Sequence, residues 1–133
     1  MEDCLFCKII NGQIPAHKVY EDDFVIAFLD IHPINLGHTL VIPKKHEPDF
    51  YKLDEEYYKP LMSVVKKVAN KINNALIPKK VGLLVAGWDV PHAHIHVVPM
   101  EDYHDITSKR LLDENKLTPS QEELNTMAEK IKF

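Results

Sequence analysis

Apolar positions along this chain change period several times, and each change marks an element. Cys4 to Asn11 fits a short helix stopped by Gly12. The stretch "IPAHKVYEDDFVIAFLDI" then gives two apolar runs hinged on the acidic turn Glu21, Asp22 and Asp23, which is a hairpin signal. Pro33, Asn35 and Gly37 make a loop of "IHPINLGH", and "HTLVIP" supplies a third strand closed by Pro43. From Asp54 the period lengthens. Leu61, Val64, Val65, Val68, Ile72 and Leu76 recur at spacings of three and four, one stripe on a long helix. Pro60 removes a backbone donor near its start, which predicts a kink there or a later onset of regular helix.

"VGLLVA", Val81 to Ala86, reads as a fourth strand, and Gly87 to Pro91 should turn tightly into "VPHAHIHVVP", Val90 to Pro99. The two runs are expected to be antiparallel neighbours. In "LTPSQEELNTMAEKIKF", Thr118 or Ser120 can cap a closing helix whose apolar face carries Leu124, Met127, Ala128 and Ile131. The order is strands, helix, strands, helix. It predicts an α+β fold on an antiparallel sheet, one domain over residues 1–133 with its core at about 4–100 and a tail and helix at 101–133.

Composition narrows the partners. With 27% charged residues and a net charge of −4, the chain is balanced like an ordinary globular protein, and its short lysine pairs are interleaved with acids. Nucleic acid is therefore not an expected partner. The start of the chain lacks a basic segment followed by a long apolar run, and no run approaches a membrane span, so a cytoplasmic protein is expected. There Cys4 and Cys7 stay reduced, and their C-x-x-C spacing suits metal or redox chemistry. Two cysteines alone cannot complete a zinc site.

The chemistry concentrates in "HAHIH". On a strand, His92, His94 and His96 share one face while Ala93, Ile95 and Val97 share the other. Neighbouring histidines then stand about 6.6 Å apart at the backbone and the outer two about 13 Å, too far for one metal to join all three. A row of imidazoles suits a different chemistry, in which the middle ring attacks and its neighbours donate protons or hydrogen bonds to the group attacked. Only Gly12, Gly37, Gly82 and Gly87 exist, so neither a P-loop nor a G-x-G-x-x-G can be written. Phosphate, if bound, must be handled by side chains.

"HAHIHVV" resembles the histidine triad motif, His-x-His-x-His followed by two apolar residues, of the HIT superfamily of nucleotidyl hydrolases and transferases. "CLFCKIINGQIPAHKVYEDDFVIAFLDIHPINLGHTLVIPKKH" is similar to the amino-terminal half of its Hint-like branch, so the likeness runs roughly from Cys4 to Met100. The resemblance implies a HIT-like fold and hydrolysis at the α-phosphate of purine nucleoside 5′-phosphoramidates or related adenylyl conjugates, through a nucleotidyl-histidine. It makes His94 the nucleophile and puts His96 on the phosphate and leaving group. His92, with His38 from "LGHTLVIP", would orient or relay protons to the central ring. Asp30 matches the acid that binds ribose, and Phe28, Ile31 and Tyr20 would wall the base.

The resemblance also implies a homodimer whose sheet continues across the fourth strand, and "VGLLVA" is apolar on both faces, as a buried junction would be. Some bacterial members that share the C-x-x-C hold a structural zinc with the set matching Cys4, Cys7, His46 and His92. "VAGWDVPH" departs from the branch. It is shorter, with Trp88 where a glutamine is usual and Asp89 beside it, so both are placed at the substrate, where the acid would repel polyphosphate. The alternatives are a dinucleoside polyphosphate hydrolase, a zinc-dependent hydrolase using two strand histidines, and a nucleotide-binding protein without turnover.

Overall fold

The computed structural model describes residues 3–107 and 117–133. Helix α1 (Leu5–Ile10) begins at Cys4, whose sulfur accepts the Cys7 amide at 3.4 Å. The C-x-x-C pair is thus an N-cap and the third residue of one helical turn. Both thiols are held at the same helix end.

Strands β1 (Lys18–Glu21) and β2 (Val25–Leu29) form the hairpin, and the Asp22 carboxylate closes it by accepting the Phe24 and Val25 amides at 2.8 Å each. β3 (Thr39–Pro43) follows, then α2 (Glu55–Leu76), β4 (Lys80–Leu84), β5 (Ile95–Met100) and α3 (Gln121–Ile131). Five strands lie in the order β1-β2-β3-β5-β4, every neighbouring pair antiparallel. This is the expected α+β architecture.

The two faces of the sheet are covered differently, and period-2 alternation assigns each residue to one of them. Val25, Ala27, Leu29, Val41, Ala93, Ile95 and Val97 meet the α2 stripe and α3. Ile26, Phe28, Leu40 and Ile42 meet Cys4, Phe6 and Ile9 of the amino-terminal segment. β2 and β3 are therefore buried throughout. Five of the six stripe residues on α2 are buried, while Leu76 is half-buried at the helix end, against the Gly37 loop. Full burial of each such side chain contributes about 1.5–3 kcal/mol, which holds the long helix to the sheet.

Two expectations change. The helix runs through Pro60 from its start at Glu55, because the carbonyl deprived of its partner belongs to Glu56, on the exposed side. Gly87–Pro91 is no tight turn: residues 85–94 form an open loop, and the pairing of Leu84 with His96 fixes its ends. β4 is the outer edge of the sheet, and Leu83, on the same face as Val97, is 46% exposed there. Ser120 is the cap of α3, in a reciprocal capping box with Glu123. No helix among the described residues is long and apolar enough to cross a membrane.

Candidate active site

The alternation that buries Ile95 and Val97 under α2 turns the histidines to the α1 face. His94 and His96 lie with ring centroids 5.1 Å apart, His94 packs edge-on against Phe6 at 5.2 Å, and His38 lies 5.1 Å from His96. All are buried, yet His94 and His96 reach the floor of a cleft of about 460 Å³. Phe28, Asp30, Ile31 and Asp89 line the same cleft, as do Phe6 and Ile9.

Backbone partners fix where each ring carries its hydrogen. His94 Nδ1 lies 2.7 Å from the carbonyl of His92, and a carbonyl only accepts, so Nδ1 holds the hydrogen and Nε2 the lone pair. His96 is set the other way. The Ile34 amide donates to His38 Nδ1 at 3.0 Å, so His38 carries its hydrogen on Nε2 and donates to His96 Nδ1 at 2.9 Å. His96 then keeps its own hydrogen on Nε2. One ring offers a lone pair and its neighbour a hydrogen-bond donor, the complement needed for nucleophilic attack on a group whose developing charge an N–H can hold.

The His92 ring works elsewhere. Its Nε2 donates to the Pro43 carbonyl at 2.8 Å, and its Nδ1 lies 3.5 Å from both Cys4 Sγ and Cys7 Sγ. His46 Nδ1 is 3.2 Å from Cys7 Sγ, and the four donor atoms all lie within 4.8 Å of one another. In a zinc tetrahedron with bonds of about 2.3 Å to sulfur and 2.0 Å to nitrogen, the sulfur–nitrogen edge is about 3.5 Å, close to these separations. The residues fit the metal. Burial, reinforced by Cys4, pushes the Cys7 thiol up to about 11, so a dication is what would hold that sulfur as a thiolate.

Residues 11–103, more than half of the chain, match the family described as the HIT domain. The chain belongs to the histidine triad (HIT) family. The adenosine 5′-monophosphoramidase hnt1 of Schizosaccharomyces pombe is 39% identical over 72% of this chain and 73% of its own length. The adenylylsulfatase HINT3 of Arabidopsis thaliana is 38% identical over 75% of this chain and 53% of its own length. A Zn-bound histidine triad family protein from Mycobacterium smegmatis superposes with a TM-score of 0.76, at 29% identity over 96% of this chain and 91% of that one. By reaction class, the chain is a HIT-family hydrolase.

In this HIT protein several expected site residues stand elsewhere than the sequence alone suggests. The His92 ring does not relay to His94; its main-chain carbonyl holds that ring, because both ring nitrogens are engaged elsewhere. Likewise His38 serves His96 rather than the central ring. Tyr20 does not wall the base. A bulge between Lys18 and Tyr20 turns it to the α2 side with Val19, where it packs on Phe133 at 5.3 Å and donates to Asp22 at 2.7 Å. Trp88 is absent from this cleft's lining and is 89% exposed. Phe6 and Ile9, to which sequence reasoning assigns no role, line the cleft; the likeness of the amino-terminal segment is the signal that could have found them.

Burial holds the His92 imidazole down at about 4, helped by repulsion from His46 and His94 against the pull of the Pro43 carbonyl. The unfolded chain takes up that proton near 6.5, so stability is full above this pH and is lost as pH falls toward 4. For metal-free protein, urea unfolding at pH 4.5 should show about 2–3 kcal/mol less stability from this group than at pH 7.5. A His92→Gln variant should lack that component. Equal pH dependence in the two proteins would contradict the assignment.

Proposed function

We propose that this protein hydrolyses purine nucleoside 5′-phosphoramidates or related adenylyl conjugates at the α-phosphorus, with His94 as nucleophile. The observation that carries this reading is the opposed hydrogen placement on adjacent rings, lone pair on His94 Nε2 and hydrogen on His96 Nε2. The nucleoside lies in the cleft, its base between Phe6, Phe28 and Ile31 and its ribose hydroxyls on the Asp30 carboxylate. His94 Nε2 forms a bond to phosphorus as the bond to the leaving amine breaks, His96 Nε2–H donates a hydrogen bond to the phosphoryl oxygen, and the amine nitrogen takes its proton from a water in the open cleft. The hydroxide left by that water then attacks phosphorus as the bond to His94 Nε2 breaks. AMP leaves, and His94 regains its lone pair.

Asp89 on the cleft disfavours a polyphosphate leaving group, which ranks the dinucleoside polyphosphate reading second. The zinc reading is structural. Cys4, Cys7, His46 and His92 make a closed set of four, so a bound zinc would tie α1 to the segment before β5 without an open position for water. Thiolate ligands need a reducing compartment, which favours the cytoplasm. The uncovered edge of β4, with Leu83 exposed, supports a homodimer that continues the sheet. Neither nucleic acid nor membrane has a part in this function.

Replacing His94 with Asn should remove at least about 1000-fold of turnover on adenosine phosphoramidate while AMP still binds, since the nucleoside contacts lie elsewhere. Wild-type protein quenched during turnover should carry an adenylyl group on His94, read by fragment mass spectrometry. Near-normal turnover by the variant, or an adduct on another residue, would reject the mechanism. Native mass spectrometry of protein purified without chelator should give a dimer with one zinc per chain. A zinc-free monomer at micromolar concentration would remove both structural proposals and leave the catalytic one.

A further inference from the structure

A second cleft, also of about 460 Å³, lies between residues 48–51 and the loop after β4. His94 lines both clefts, and among the described residues they share no other lining residue. Phe50, Tyr51 and Trp88 line the second. Phe50 and Tyr51 pack edge to face at 5.5 Å, yet Tyr51 is 70% exposed and Trp88 89%. Large exposed aromatic faces on one concave surface mark a binding place more often than idle surface.

The charge of the lining limits what could fill it. Among the described residues Asp49 is its one carboxylate, and that group is paired with Lys52 at 2.8 Å. No lysine or arginine among the described residues lines either cleft. A phosphate-bearing group would find no counter-charge in this lining, and Asp89 stands on the neighbouring cleft to repel it. A neutral planar ring finds aromatic partners instead.

We propose that this second cleft is the leaving-group subsite, and that it takes an aromatic ring on a short linker from the scissile phosphorus–nitrogen bond. The inference rests on the phosphoramidate reading above. With the nucleoside in the first cleft, the phosphorus must come within bonding reach of His94. The remaining part of the substrate then extends from the same residue, and the second cleft is the surface that shares it. Bond changes are those already written: the nitrogen–phosphorus bond to the arylalkyl amine breaks, and its nitrogen leaves with a proton from water. Phe50, Tyr51 and Trp88 choose the amine.

The test compares two adenosine phosphoramidates, of phenylethylamine and of ethylamine, which differ only in the ring. Wild-type protein should prefer the phenylethyl substrate in kcat/KM by about tenfold, the worth of two ring contacts, with most of the difference in KM. Trp88→Ala and Tyr51→Ala should each bring that ratio down to about threefold or less, and AMP affinity will report that each variant is folded. Trp88 is the chain's only tryptophan, so its emission reads the subsite directly. In the His94→Asn protein the phenylethyl compound should shift that emission and AMP should not. Equal cleavage of both substrates with unchanged emission would overturn the subsite and leave the hydrolase reading intact. Cleavage of neither would overturn both. Emission that depends on protein concentration without ligand would give the cleft to a second copy of this chain and overturn the subsite.

Discussion

The hydrogen bond from His94 Nδ1 to the carbonyl of His92, at 2.7 Å, is the constraint on which the site depends. A main-chain carbonyl accepts and never donates, so the ring it holds has one tautomer as long as the backbone keeps its path. The lone pair on Nε2 is therefore a consequence of folding. His96 is held the opposite way by a chain that also begins at backbone, the Ile34 amide acting through His38. Two chemically identical side chains 5.1 Å apart hold their hydrogens on opposite nitrogens because different groups reach their Nδ1 atoms.

That arrangement needs the loop before β3 to sit at one height against β5. Leu40 pairs with His96 across the sheet, which sets His38 beside it. Asn35 anchors the loop, donating through Nδ2 to the Pro99 carbonyl at 2.8 Å and to the buried Asp105 carboxylate at 2.9 Å, while its own carbonyl accepts the His38 amide. Gly37 adopts φ +102°, a left-handed turn that other residues resist, and a side chain there would meet Leu76. Asp105 also collects the amides of Glu101 and Asp102, so the turn after β5 clamps the loop that carries the relay.

Local periodicity carries most of this in the sequence. Alternation puts the histidines and the apolar residues of "HAHIHV" on opposite faces, and the three- and four-residue spacing of α2 names its buried stripe. Tyr20 escapes that logic because a one-residue bulge reverses its face, and nothing in "HKVYED" announces a bulge. Pro60 looks disruptive on paper because sequence does not show which carbonyl is already exposed. The His92 ring turns away from the relay because regular β5 begins only at Ile95; before it, the Ala93 amide bonds the Glu47 carbonyl at 2.7 Å and brings His92 to the cysteines. Such contacts join residues far apart in the chain, and spacing does not encode them.

One residue thus links the cluster of Cys4, Cys7 and His46 to the His94 ring. The His92 side chain stands among the thiols of α1, and its carbonyl points the other way, at His94. Everything proposed for the chemistry requires His94 and His96 to hold their hydrogens on opposite nitrogens, and ring-nitrogen NMR tests this most directly. Long-range proton–nitrogen correlation at neutral pH on uniformly nitrogen-15-labelled protein, with His94→Asn used for assignment, should show hydrogen on Nδ1 of His94 and on Nε2 of His96. Hydrogen on Nε2 of His94, or the same tautomer on both rings, would contradict it.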